Sequence, residues 1–333
     1  MSVLIAISSI SNLQAVLRLD LLGIDLTNHK RITFDFSNCR FGKPLAMLTF
    51  GHQLRRLRAA NPEVEFYART TSNKFRSYAD DIGFFDYCGI SRGLMVNAGR
   101  QSENCIPITK IDIDNLKSQS ELEGVYAEVA IEKSRALTQT LLHSNNNGDL
   151  FRVISYSLRE ALRNCLEHSL GTNIYYAAQY FRNENRAELA LFDDGIGVGE
   201  SLRSAGITKS STLSYLATAL KPGVTGVSTF ERSLQPEEYR NSGFGLYVLS
   251  RYFAENGEFT IQSGGSGITL KGNNTYDFET DFSGTCIGLT VDFRDTPPSA
   301  QRILEIVAEG EGRSSTPHPA SPLSKNLELF ANR

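Results

Sequence analysis

Segments with the period of a β-strand alternate with segments of helical period along the first third of the chain. Strand-like alternation of apolar and polar side chains marks residues 31–37, 64–70 and 106–113, and helical patterns mark residues 44–61 and 73–85. Because strands that alternate with helices fold into layered α/β units, this order predicts a small α/β domain over residues 1–117.

The stretch SLREALRNCLEHS, residues 157–169, carries polar side chains at four-residue steps. Side chains four residues apart lie on one face of an α-helix, so Glu160, Asn164 and His168 form a single polar ridge. The opposite side of the helix is apolar and must pack against the rest of the domain. On an isolated helix such a ridge is usually a solvated face, so further motifs must decide whether it lines a site.

Composition narrows the class of partner. The formal net charge is −3 and there is no block of basic residues, a balance that favours neither a nucleic-acid nor a membrane partner. The five cysteines are widely spaced and form no C-x-x-C pair, which argues against a zinc site or a disulfide framework and for a reducing compartment. The amino terminus lacks the charged start of a signal peptide, so we expect a cytoplasmic protein.

Three further motifs follow the polar helix in order. They are LFDDGIGVG (191–199), a buried-type strand that ends in acidic and glycine residues, NSGFGLYVLSRY (241–252), a Gly-x-Gly that opens a helix, and SGTCIGLTV (283–291), a Gly-Thr at the head of a strand. Each motif alone is common. Their order is much more specific than any one of them.

Together these motifs resemble the GHKL, or Bergerat-fold, superfamily of ATP-binding proteins, and LREALRNCLEHS is most similar to the anti-sigma serine kinases in it. The resemblance implies a Bergerat-type α/β sandwich over residues 118–296, with helices on one face of a mixed sheet. The first domain resembles STAS-like domains by its strand–helix order, which implies docking of a protein partner. The combined expectation is an α/β (α+β) protein that binds ATP and Mg²⁺.

The resemblance also implies how adenine is held. Asp193 would accept a hydrogen bond from the exocyclic amine of the base, a charge-assisted contact. Gly195 and Gly197 would let the backbone pass close to the base, where a Cβ would obstruct it. Thr285 would add a hydroxyl near the adenine.

The phosphate end follows from the same resemblance. Gly243 and Gly245 would present bare N–H groups at a helix N-terminus to the phosphates. Asn164 would offer an oxygen ligand to Mg²⁺, and Glu160, one turn earlier, would be the catalytic base. His168 is a weaker candidate for a phosphate contact.

Residues 198–241 are predicted to be a lid, because long polar insertions in compact domains are usually functional. Lys209, Lys221 and Arg240 are its candidates for meeting the γ-phosphate. Residues 297–333 are rich in proline and serine, which predicts a mobile tail with one helix near residues 300–308.

Three functions fit such a site. The first is an ATP-binding regulatory switch with slow hydrolysis, the second is a serine/threonine kinase of the anti-sigma type, and the third is a scaffold that binds nucleotide without turnover. A homodimer is expected only by analogy with the superfamily.

Overall fold

The computed structural model describes residues 2–90, 104–118, 125–143, 148–227, 240–314 and 319–327. The chain divides into two compact units. The first contains Met1–Thr109 with Tyr176–Gln179, and the second contains Lys110–Tyr175 with Tyr180–Arg333.

The first unit is built on three parallel strands. They are β1 (Ser2–Ala6), β2 (Arg31–Asp35) and β3 (Glu65–Arg69), side by side in that order. Its helices are α1 (Leu13–Leu17), α2 (Pro44–Ala60), α3 (Asn73–Asp81) and α4 (Phe84–Cys88), with a 3₁₀ turn at Leu21–Gly23. Phe36 is fully buried and touches the rings of Phe50 and Phe75. Contacts between large aromatic rings of this kind contribute strongly to a small core.

A second sheet has five strands in the order β4-β5-β6-β8-β7. The strands are β4 (Cys105–Asp112), β5 (Asn173–Phe181), β6 (Arg186–Asp193), β7 (Gly257–Lys271) and β8 (Asn274–Asp292), with a 3₁₀ turn at Arg182–Glu184. β8 runs antiparallel to both β6 and β7, and this register sets Thr285 opposite Asp193. The hairpin of β7 and β8 extends well beyond residues 283–291, where the sequence predicts a strand.

The helices of the second unit include those predicted at residues 157–169, 241–252 and 300–308, together with others that the sequence does not predict. They are α5 (Ile113–Ser118), α6 (Val125–Leu142), α7 (Asp149–His168), α8 (Gly197–Ser204), α9 (Thr212–Ala219), α10 (Gly245–Asn256), α11 (Ala300–Arg313) and α12 (Pro322–Lys325). α7 packs against α6 on one side and contacts α10 on another, so even Arg159 is fully buried. The α/β class predicted from the sequence is confirmed.

The end of the chain differs from the mobile tail that the sequence predicts. α11 continues to Arg313, and its Ile303, Ile306 and Val307 are almost fully buried. The helix lies against α10, where Gly310 allows close approach to Phe244 and Tyr247. Proline and serine are enriched in the residues on both sides of this helix. The apolar side chains spaced along the helix itself form a face that must be covered.

The predicted lid also contains packed structure. α9 and all of α8 except its first residue lie within residues 198–241. Leu202, Tyr215 and Ala219 form a small buried cluster there. Residues 228–239 of the predicted lid lie outside the described residues. Across the ranges that the structure describes, every helix is too short or too polar to span a lipid bilayer.

Candidate functional site

A cleft in the second unit is lined by residues from α7, the end of β6, α8, the loop before α10, and β8. It encloses about 900 Å³ of empty space, including the part that opens to solvent. The residues predicted from the four motifs to bind adenine, phosphate or Mg²⁺, or to act as the base, all line it except Gly195. The polar ridge of α7 is therefore a wall of a cleft, because Glu160, Asn164 and His168 all face it.

Asp193, the last residue of β6, lies at the buried end of this site with only 4% of its surface exposed. Burial raises the pKa of its carboxyl to about 7, although hydrogen bonds from the Gly195 N–H and the Cys165 thiol lower it in part. The Gly195 nitrogen lies 3.0 Å from Oδ1 and the Cys165 sulfur lies 3.7 Å from Oδ2. A backbone hydrogen bond from Thr285 also lowers this pKa, yet burial still outweighs all three donors. A ligand N–H would therefore further stabilise the ionised carboxylate.

The glycines after Asp193 serve the protein's own packing. A Cβ on Gly195 would overlap the carbonyl oxygen of Ser169, so this glycine is required by the loop after α7, and it does not line the cleft. The predicted passage of the Gly195 backbone close to a base stays a prediction, and the contact that the structure shows for this glycine is with Ser169. Gly197 does line the cleft and has a φ of 77°, in the left-handed region that favours glycine. Ser263, whose Oγ accepts from the Val198 N–H at 3.0 Å, would lie 2.6 Å from a Cβ on Gly197.

The loop before α10 is organised differently from the prediction. Gly243 lies before the helix with a φ of 73°, and its N–H donates to Oδ1 of Asn241 at 3.0 Å. The sequence predicts a bare N–H at Gly243, but in the structure this N–H is satisfied by a side chain of the same loop. Gly245 begins α10, and a Cβ there would overlap the Glu160 carboxylate. The first N–H groups of α10 have no partner within the helix and remain the donors at this end.

Asn241 is a site residue that sequence reasoning missed. Its Nδ2 donates to Oε2 of Glu167 and lies 2.9 Å from Nε2 of His168, while its Oδ1 holds the loop. This one amide therefore ties the end of α7 to the start of α10. It stands at the head of the quoted motif NSGFG, but only the folded chain brings it to α7.

Two buried ion pairs flank the polar ridge of α7. Arg163 pairs with Glu167, with 2.7 Å between Nη2 and Oε1, and Arg159 pairs with Glu160. Arg159 is fully buried, and its guanidinium lies 4.6 Å from the ring centre of Tyr156. A buried cation must be paired, so Glu160 neutralises Arg159 in addition to any catalytic role.

Asn164 has a side-chain polar atom without a partner. Its Nδ2 is buried and makes no hydrogen bond within the described part of the chain. Because amide oxygen and nitrogen are exchanged by a simple flip, the same position can offer an oxygen to a cation. That amide fits the predicted Mg²⁺ as a single protein ligand, with phosphate oxygens and water supplying the rest.

Apolar side chains cover the walls between these polar groups. They are Leu191, Val198, Leu202, Val224, Ile261 and Ile287. Thr285 lies among them on β8, opposite Asp193. It lies well inside this strand, which begins at Asn274, whereas the sequence predicts it at the head of a strand. An apolar cleft that is lined by one buried carboxylate and by the start of a helix suits a flat heterocycle that carries an anionic tail.

The predicted lid cations are not brought to the site. Lys209 and Lys221 are exposed, and neither they nor Arg240 line the cleft. Among the described residues, no three His, Cys, Asp or Glu side chains form a metal-binding group.

Comparison with models of known protein families found no match, and comparison with curated proteins found no significant match.

Proposed function

We propose that the second unit binds Mg-ATP and uses it as a conformational switch, with slow hydrolysis. Adenine would contact Asp193 and Thr285, and the triphosphate would extend toward α10. The observation that carries this proposal is that residues from four separate sequence motifs line one cleft.

The state of Asp193 supports recognition of adenine. An exocyclic amine would donate a further hydrogen bond to the buried carboxylate, and such a bond contributes about 1.5–3 kcal/mol for a charged acceptor. The donor would also favour the ionised carboxylate and so lower its pKa from about 7.

The other end of the cleft supports an anionic tail. Gly245 opens a helix of 12 residues, whose N-terminal dipole and unpaired N–H groups attract phosphate. Tyr247, which occupies a position where relatives in the resembled superfamily carry a small residue, does not line the cleft and packs beside Gly310. The ring of Tyr247 therefore does not fill the space proposed for the phosphates.

When bound, Mg²⁺ would neutralise charge on the phosphates. Asn164 is the residue that would hold it. Glu160 lies one helical turn away, where its carboxylate can orient a nucleophile and accept a proton.

Calorimetric titration of the whole chain with Mg-ATP tests the proposal. Asp193→Asn should abolish the heat of binding, whereas Asp194→Asn should keep it, because Asp194 is turned toward Asn173 and Thr172 outside the cleft. If the folded wild-type protein gives neither heat nor a higher unfolding temperature, the proposal fails.

Incubation with γ-labelled ATP then separates the three functions. Free phosphate supports the switch, label on a protein supports a kinase, and binding without either product supports a scaffold. Location in the cytoplasm, a protein partner at the STAS-like first domain and a homodimer remain predictions from the sequence.

A further inference from the structure

The C-terminal segment, residues 319–327, reaches the cleft. Ala320, Ser321, Ser324 and Leu327 are buried, and Ser324 is only 2% exposed and lines the cleft. Ser321 lies beside it, with 3.1 Å between the two hydroxyl oxygens. The C-terminal segment thus contributes a serine to the lining of the candidate nucleotide site.

Contacts fix the C-terminal segment at one end of α11. Oε1 of Glu311 accepts from the Ala320 N–H at 2.9 Å and pairs with Nζ of Lys325 at 2.7 Å. The residue before Glu311, Gly310, lies against Phe244 and Tyr247 at the start of α10. These contacts connect the C-terminal segment through α11 to the start of α10, where the phosphates are proposed to lie.

We propose that Ser324 is a phosphorylation site of the protein itself, and that its hydroxyl competes with water for the γ-phosphoryl group of bound ATP. The proposal rests on the proposed function. Oγ of Ser324 attacks the γ-phosphorus and forms a new P–O bond, while the bond to the bridging oxygen breaks and that oxygen leaves with ADP. The hydroxyl proton passes to Glu160, which also lines the cleft, and then to water.

Being held in the same cleft favours this acceptor. Phosphoryl transfer depends mainly on positioning, and a hydroxyl fixed beside the donor has a large effective concentration. The product would carry a dianion at a site that is now almost fully buried, beside another hydroxyl. Charge at that place disfavours burial, so transfer would release the C-terminal segment from the cleft.

The experiment incubates the purified whole chain with Mg-ATP and measures intact mass, followed by peptide mapping. Wild-type protein should gain one phosphoryl group at Ser324, with a rate that does not change on dilution, as expected for transfer within one molecule. Ser324→Ala should gain none. Ser314→Ala, which changes a serine of the same region that does not line the cleft, should be phosphorylated like wild type.

Asp193→Asn separates this proposal from the proposed function. Loss of both nucleotide binding and phosphate in that variant supports both. Phosphate that persists in Asp193→Asn, or that maps to any other residue, overturns the inference. Calorimetric binding of ATP by wild type without phosphate on the protein also overturns it, yet leaves the proposed function intact, and absence of binding overturns both.

Discussion

Replacing the buried carboxylate at the end of β6 should make the free protein more stable at neutral pH. Asp193 is 4% exposed and has few donors around its carboxyl group. Ionising it inside the protein costs free energy, and the amide of an asparagine at this position cannot ionise. The substitution Asp193→Asn therefore removes this cost, while it also removes the anionic acceptor proposed for adenine.

The size of the effect follows from the pKa. Burial raises the pKa of Asp193 from an ordinary 3.8 to about 7. Each pKa unit corresponds to about 1.4 kcal/mol, so the ionised carboxylate costs up to about 4 kcal/mol. Because the folded-state pKa is the higher one, the stabilising contribution of the protonated group is complete below pH 3.8 and is lost as pH rises to about 7.

Urea unfolding followed by far-ultraviolet circular dichroism measures this, since the chain has no tryptophan for fluorescence. The free energies of unfolding of wild type and Asp193→Asn should agree near pH 4 and diverge with rising pH. Above neutral pH the variant should exceed wild type by up to about 4 kcal/mol.

Asp194→Asn is the matched control, with the opposite sign. Although burial pushes the pKa of Asp194 up, hydrogen bonds from Asn173 and Thr172 hold it below its ordinary value. Its ionised form therefore stabilises the fold at neutral pH, and the substitution should destabilise the protein there. Lower stability of Asp193→Asn above neutral pH, or a difference from wild type that does not change with pH, would refute the reasoning.

Three other perturbations test the site. Affinity for Mg-ATP should fall as pH drops below about 7, because protonated Asp193 is a weaker acceptor. Calorimetry should show at most about a tenfold loss of affinity per pH unit. An affinity independent of pH would contradict the role of Asp193 as the acceptor for adenine. Gly195→Ala should lower the free energy of unfolding by about 1–3 kcal/mol, because the added Cβ overlaps a backbone carbonyl. Gly312→Ala, in open space on α11, should raise the free energy of unfolding by up to about 1 kcal/mol. Urea unfolding compares the two variants with wild type. Glu160→Ala should lower the free energy of unfolding by about 3–5 kcal/mol in the same assay, because it removes the carboxylate that pairs with the buried Arg159. Adding Arg159→Met should restore most of that loss, and a single variant as stable as wild type would argue against the pair.

Periodicity explains why much of the scaffold was predictable. The helical spacing of Glu160, Asn164 and His168 directs them to one face wherever α7 packs, and all three line the cleft. The alternating pattern around residue 34 likewise predicts β2. The short apolar pattern near residue 260 does not reveal how far β7 and β8 extend, because their outer halves are held by pairing with each other and carry little apolar signal.

The roles of individual site residues were less predictable. Position 195 requires glycine because a Cβ there would overlap the carbonyl oxygen of Ser169. Ser169 is far from Gly195 in the sequence, and only the fold brings the two residues together. Asn241 has no distinguishing pattern, and its importance comes from reaching Glu167 and His168. Such contacts join residues far apart in the chain, so local spacing does not record them.

By itself, the amino-acid sequence determined the α/β class, the order of the elements and which side chains share a face, because these depend on local backbone periodicity. Tertiary structure alone decided that Arg159 neutralises Glu160, that Asp193 is buried enough for its pKa to rise, and that Ser324 reaches the cleft. Burial and charge pairing depend on which distant segments meet, and they set the energies on which function depends.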